Sequence, residues 1–434
     1  MASTPRLRPG DLLGNDAAPL WQALGETANL AEPAALDRVR RAHPQADPAL
    51  VAAIATQIDL RRQALPRLGA WSQTAILDAE AVQQATRSEV ARYRAESLRS
   101  RWVAAGHPSD LAPRIADLGC GIGADSHALA KAGFDVVAFE RDPWRAEAAR
   151  LNLAADGVTV ICADVTSEGV DAIRDCDLAF VDPARRQQDG PRRIDGGRSR
   201  PASDPREWSP TWPWITHLAQ RLPVAVKVAP GFDPRLAPPG SEVEWIDHDG
   251  DSVEATVWMH LGGADARTAT AIGGGLIDSI TSTGYADPGP ITEEVLDLLI
   301  EPSPGVIRAG LVGALARRLD APRLETSTWL TADGIEQTPL ARAWRVDAEV
   351  PSDPRALRDW LRPHGAVTFK TADIALSAQE WGTRVGHRPR RGARAVTIIM
   401  TGAPQGGRAR RAGEDAPVGL GRAFAVTRAA VDPS

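Results

Sequence analysis

The sequence predicts an α/β fold: a mostly parallel sheet with helical crossovers, preceded by a helical region and followed by a small α+β domain. Three observations carry this. The run ADLGCGIGADSHALA, residues 116–130, places a glycine-rich turn between an apolar strand pattern and a helical one. Three further apolar runs, FDVVAFERD, VTVICADV and DLAFVDPARR, each end on an acid, at Glu140, Asp164 and Asp182. The first 109 residues instead carry apolar positions at three- and four-residue spacing.

That N-terminal region, 1–109, reads as helices in PLWQALGETANLA, PALVAAIATQIDLRRQAL and TRSEVARYRAESLRSRWVAAG, punctuated by Pro33, Pro44, Pro48 and Pro66. Thr86 stands where an N-cap for the last helix is expected. The second domain, 110–262, opens with strand RIADL, and Gly119, Gly121 and Gly123 let the backbone turn tightly before the helix. Asp182 and Pro183 follow the fourth strand, where open α/β sheets place their chemistry. A long polar segment, RRQQDGPRRIDGGRSRPASDPREWSPTWP, comes next and is expected to cover a substrate. LPVAVKVAPGFD supplies a fifth strand with Lys227, and EVEWIDHDG and SVEATVWMHL a closing antiparallel pair.

Residues 262 to about 290 read as a glycine- and alanine-rich connection. Gly273 to Gly275 lack the following G-K-[ST] of a phosphate loop, so linker is preferred there. In the third domain, 263–434, EPSPGVIRAGLVGALARRL reads as one amphipathic helix and DPRALRDWLRPHG as another capped by Asp353. AWRVDAEV, AVTFKTA, AVTIIMTG and RAFAVTR read as strands.

At 434 residues the chain is too long for one core. Its three cysteines, Cys120, Cys162 and Cys176, form no C-x-x-C pair, which argues against a disulfide framework and a zinc site, so no metal is expected. The start of the chain lacks an apolar signal core and no stretch approaches the ~18 apolar residues of a membrane span, so a cytoplasmic protein without membrane contact is expected. A net charge of −6 argues against coating of nucleic acid over the whole surface. A local basic tract does run from Arg384 to Arg411, with Arg390 and Arg391 at its centre, and reads equally as a phosphate-contacting patch or as a solvated loop.

The glycine order is G-x-G-x-G and not the G-x-G-x-x-G of dinucleotide sites. Asp117, two residues before the first glycine, would repel a diphosphate but suits a ligand bearing an ammonium and a sulfonium. These residues resemble the class I S-adenosylmethionine-dependent methyltransferases, whose D-x-G-x-G-x-G turn matches Asp117, Gly119, Gly121 and Gly123. The resemblance implies a Rossmann-like sheet and S-adenosylmethionine as cofactor. It places Glu140 on the ribose hydroxyls, Asp164 on the adenine amino group, and Asp182 with Pro183 on the methyl acceptor. The segment around Thr86 and Arg94 resembles the one preceding the glycine motif in trimethylguanosine synthase-type RNA methyltransferases, where it helps to close the cofactor pocket. The C-terminal segment, through EPSPGVIRAGLVGALA, RPHGAVTFKTADIALSAQEWGTRV and the last two strands, resembles the THUMP-like domain of a bacterial methyltransferase group.

Methyl transfer to RNA is therefore expected, with Asp182 and the Pro183 carbonyl orienting an amine. Asp182-Pro183-Ala184-Arg185 lacks the aromatic of [DN]-P-P-[FYW], so Arg185, or Trp208, Trp212 or Trp214, is left to stack on a base. Two other readings stay open: a methyltransferase for a protein or small molecule, and a non-catalytic cofactor- or RNA-binding scaffold.

Overall fold

The computed structural model describes residues 7–25, 33–166, 173–184, 204–284, 287–325, 327–374, 376–402 and 421–429. Two compact units emerge: Met1–Val228 with Arg235–Glu242 and Thr256–Ala264, and Ala229–Pro234 with Val243–Ala255 and Asp265–Ser434.

The first unit begins with helices α1 (Ala18–Gly25), α2 (Pro33–Ala42), α3 (Pro48–Leu68), α4 (Ala79–Gln84) and α5 (Ser88–Ala104). Pro66 does not end α3 but sits inside its last turn, and Gly69 caps the helix with φ +62°. Strands and helices then alternate: β1 (Arg114–Leu118), α6 (Ala124–Lys131), β2 (Asp135–Glu140), α7 (Pro143–Asn152), β3 (Thr159–Cys162), β4 (Leu178–Val181), α8 (Trp212–Leu218) and β5 (Val224–Val228). The pairings β3-β2, β2-β1, β1-β4 and β4-β5 are all parallel. Strands β6 (Glu242–His248) and β7 (Asp251–Met259) form a hairpin over Asp249-Gly250, and β7 lies next to β5. The order β3-β2-β1-β4-β5-β7-β6 is the Rossmann-like class I sheet that the motifs implied.

Strand β4 is buried along its whole length and β1 and β2 beyond their first residues, as parallel strands covered on two faces must be. Leu98 and Trp102 of α5 join Ile115, Phe180 and Trp258 in one core cluster, so α5 covers the sheet. The Arg101 guanidinium pairs both oxygens of Glu242, at 2.7 and 2.8 Å, and stacks 4.5 Å from the Trp258 ring centroid.

In the second unit, residues expected to be a connection form a hairpin instead: β8 (Arg267–Gly273), parallel to β6, and β9 (Leu276–Ser282), antiparallel to β8. Alternating threonines conceal it, because Thr268 and Thr270 hydrogen-bond across to Thr281 and Ser279 and make a polar strand face. Gly274 and Gly275, at φ +60° and +79°, are its two-residue turn.

The remaining elements are β10 (Ile291–Thr292), β11 (Leu298–Pro302), α9 (Pro304–Ala309), α10 (Val312–Arg318), β12 (Arg323–Leu324), β13 (Leu330–Ala332), β14 (Ala341–Val350), α11 (Pro354–Leu361), β15 (Val367–Thr371), α12 (Ala378–Val385), β16 (Val396–Thr401) and β17 (Arg422–Arg428). The single helix expected over EPSPGVIRAGLVGALARRL is thus the end of a strand and two helices, broken where Gly310 takes φ +74°. Asp353 does cap α11, accepting from the backbone N–H of Arg355 and Ala356. The sheet runs β10-β12-β13-β11-β14-β17-β16-β15 and is covered on two faces. Ile398, Met400, Ala423 and Ala425 pack with α11 and α12, while Ile399, Phe424 and Val426 pack with Trp329 and Trp344.

Because Leu98 is fully buried between α5 and the sheet, Leu98→Ala is expected to destabilise the protein by about 2–5 kcal/mol. Urea or guanidinium unfolding monitored by circular dichroism checks this.

Candidate functional site

Strand order reverses at β1, whose neighbours are β2 and β4, and Leu118 lies in register with Val181. The backbone just past each strand therefore meets its counterpart at the carboxyl edge of the sheet, the crevice where such folds bind ligands. A side chain at Gly119, already at φ +95°, would come 3.0 Å from the Asp182 carbonyl oxygen. At Gly123, φ +99°, a Cβ would lie 2.7 Å from the Leu153 side chain. No described residue lies within 4 Å of where a Gly121 side chain would begin.

The N-terminal helices hold this turn from behind. Ile122 packs among Leu60, Leu68, Leu77 and Val82. The Asn152 amide donates to the carbonyls of Ile122, at 2.9 Å, and Ile76, at 3.1 Å, and accepts from Ile76 N–H at 2.7 Å.

The acids expected from sequence fall around the crevice. Asp117 is fully buried beneath the turn; Ser126 Oγ donates to its Oδ2, and its Oδ1 is buried with no hydrogen-bond partner among the described residues. Burial pushes its carboxyl up to about 7 against the Ser126 hydrogen bond; the negative charges of Asp125 and Asp182 add to the push and Arg94 opposes it. Glu140 accepts from Gly121 N–H at 3.0 Å and from Asp142 N–H at 2.8 Å, which fixes its carboxylate beside the turn. Asp164 is half-buried past β3. Hydrogen bonds from the Thr166 hydroxyl and N–H hold its carboxyl below its usual range.

Two cations complete the cluster. Lys227 of β5, only 7% exposed, donates to Asp182 Oδ2 at 2.7 Å and stands 3.9 Å from Asp125. Arg94 of α5 pairs with Asp125 and lies 4.7 Å from the Phe180 ring centroid. Three carboxylates, Asp117, Asp125 and Asp182, thus share two cations in a largely buried space. Neither cation pairs with Asp117, whose carboxyl stays protonated up to about 7, so a cation reaching it from outside would favour its ionised form.

Sequence reasoning placed Lys227 on its strand without a role and passed over Asp125, which reads as an ordinary first-turn acid of α6. Thr86 is no cap, since Arg87 occupies that position; its hydroxyl donates to Asp125 Oδ2 at 3.3 Å. Pro183 is buried after Asp182, and Ala184 bridges to Ser209 through two backbone hydrogen bonds. Arg185 lies outside the described residues, as do residues 403–411 of the basic tract. Arg390 and Arg391 are exposed in the second unit. Trp208 and Trp212 are buried against one another, ring centroids 5.9 Å apart, and Trp214 is half-buried. Among the described residues no helix is long and apolar enough to cross a membrane, and no group of His, Cys, Asp and Glu is placed to hold a metal.

Residues 341–412 match the family described as THUMP domain-like. Two proteins from different strains of Mycobacterium tuberculosis, both named uncharacterized S-adenosylmethionine-dependent methyltransferases, are 30% identical to this chain over 359 residues, which is 79% of this chain and 90% of theirs. A crystal structure of a candidate methyltransferase from Porphyromonas gingivalis is 20% identical, covers 95% of this chain and 98% of its own, and superposes with a TM-score of 0.71, a likeness of fold.

Between its ordinary 3.8 and about 7, the folded protein holds a proton on Asp117 that the unfolded chain has released. Stability is therefore expected to fall as pH rises across that window, by at most about 4 kcal/mol, and to level off above it. Asp117→Asn should abolish this slope and be the more stable protein at pH 8; urea unfolding from pH 4.5 to 8.5 checks both.

Proposed function

The chain belongs to the S-adenosylmethionine-dependent methyltransferases, and on that premise we propose that its acceptor is RNA and that Asp182 orients the reacting atom. S-adenosylmethionine is the cofactor, and when bound it supplies an electrophilic methyl group on a sulfonium. A displacement of that kind needs no protein nucleophile, so the chain's task is alignment.

The observation that carries the reading is the grip of Lys227 on Asp182 beside the glycine turn. With one carboxylate oxygen held by Lys227, the other and the Pro183 carbonyl accept the hydrogens of an exocyclic amine and point its lone pair at the crevice. In the same proposal Asp117 answers the ligand's positive charge from below, the Gly119–Gly123 turn admits it closely, Glu140 accepts from the ribose hydroxyls and Asp164 from the adenine amino group. The fixed Glu140 carboxylate and the unpartnered Asp117 oxygen support these roles.

RNA as the acceptor draws support from the THUMP domain-like match over 341–412 and from the exposed arginines Arg384, Arg388, Arg390, Arg391 and Arg394, which make a phosphate-contacting surface. A protein or small-molecule acceptor is the second reading. It is favoured by the mutual burial of Trp208 and Trp212, which leaves neither ring face open to stack on a base.

Labelled methyl transfer to total RNA and to protein extract from cells lacking this protein separates the two. Label is expected in RNA, to fall at least a hundredfold with Asp182→Ala, and to fall more than tenfold with Lys227→Met while cofactor Kd moves less than about threefold. Label confined to protein, or turnover unchanged by Asp182→Ala, contradicts the proposal.

A further inference from the structure

The second unit holds a cleft of about 840 Å³ whose charges do not balance. Its floor is one face of the sheet at β11, β14 and β17. Glu301 and Arg342 are cross-strand partners, as are Trp344 and Arg428, and since residues two apart on a strand share a face, all four project together. Glu301 is already satisfied. Lys370 Nζ lies 2.8 and 2.9 Å from its two oxygens and 5.1 Å from the Trp344 ring centroid, and Trp344 Nε1 donates to Glu301 at 3.1 Å.

Neither the Arg342 nor the Arg428 guanidinium has an ion-pair partner among the described residues, and both line the cleft. Arg342 lies against the β6-β7 turn, where a Cβ on Gly250 would come within 2.6 Å of its Nη2; glycine there makes its room. Ile307 and Leu276 also line the cleft and are 42% and 41% exposed, beside Arg308 and Asp249. Gly274 of the β8-β9 turn also lines it, with nothing within 4 Å of where a side chain would begin. Two guanidiniums on one sheet face, with exposed apolar side chains in the same cleft, match a phosphate joined to a flat, weakly polar ring.

We propose that this cleft seats one phosphorylated nucleotide unit of an RNA strand, the phosphate against Arg342 and Arg428 and the base against Ile307 and Leu276. The proposal rests on the RNA reading above and assigns part of the strand's binding to the second unit, through residues other than the Arg384–Arg411 tract.

The test is fluorescence anisotropy of a labelled single-stranded oligoribonucleotide across a salt series. It uses the full chain, Arg342→Glu, Arg428→Glu, their glutamine counterparts, and Arg355→Glu, an exposed arginine of α11 outside the cleft. Each cleft glutamate variant is expected to weaken binding about tenfold or more, and each glutamine variant to lower the salt slope by about one, with melting temperatures near wild type. Arg355→Glu should change affinity less than about threefold. Equal effects from all three reversals, or none from the cleft pair, overturn the cleft assignment while RNA binding by the full chain leaves the RNA reading standing. A full chain that binds no oligoribonucleotide but binds adenosine monophosphate in an Arg342-dependent way overturns the RNA part and shows a small-molecule anion site.

Discussion

Burial of Asp117 is the constraint around which the first unit is arranged. A carboxylate wholly removed from water, one oxygen without a hydrogen-bond partner, costs several kcal/mol unless something answers its charge. Arg94 and Lys227 are close by but committed to Asp125 and Asp182. Once Asp117 ionises, above about pH 7, its charge has no ion-pair partner among the described residues of the crevice where the sheet reverses order. A cation bound there would answer that charge, whereas a diphosphate would oppose it.

The surrounding structure serves to keep that charge where it is. Register between β1 and β4 brings Gly119 against the Asp182 backbone, so the glycine turn and Asp182 are placed by one pair of strands. The N-terminal helices act on the same turn, through Ile122 in their core and Asn152 bridging Ile76 to it. Helix α5 reaches over the sheet to supply Arg94. What reads in sequence as a separate helical region is in part the back wall of the site.

How much of this could be read beforehand follows from the range of the interactions. The four βα steps were legible because their signals are local: apolar runs, left-handed glycines and acids at strand ends. Lys227 and Asp125 were not assigned because their meaning is a distance between β5, α6 and the segment after β4, and nothing in VAVKV or ADSHALAK announces it. The β8-β9 hairpin reads as a linker in sequence because its alternating threonines bond across strands instead of packing as hydrophobics. The helix expected from Glu301 to Leu319 failed for a different reason: Gly310 at φ +74° breaks a pattern whose apolar spacing continues undisturbed. The two cleft arginines of the second unit come from β14 and β17, far apart in sequence, and only strand pairing puts them on one face of the sheet.

The measurement that bears most directly on the Asp117 charge is calorimetry of S-adenosylmethionine binding in buffers of different ionisation enthalpy, from pH 5.5 to 8.5. With the Asp117 carboxyl at about 7 in the free protein, a bound cation must drive its proton off. Binding below pH 7 is then predicted to release close to one proton, affinity to rise as pH approaches 7, and Asp117→Asn to lose both the release and at least about tenfold in affinity. Binding that releases no proton, is flat across this range and is unchanged in Asp117→Asn would contradict the account.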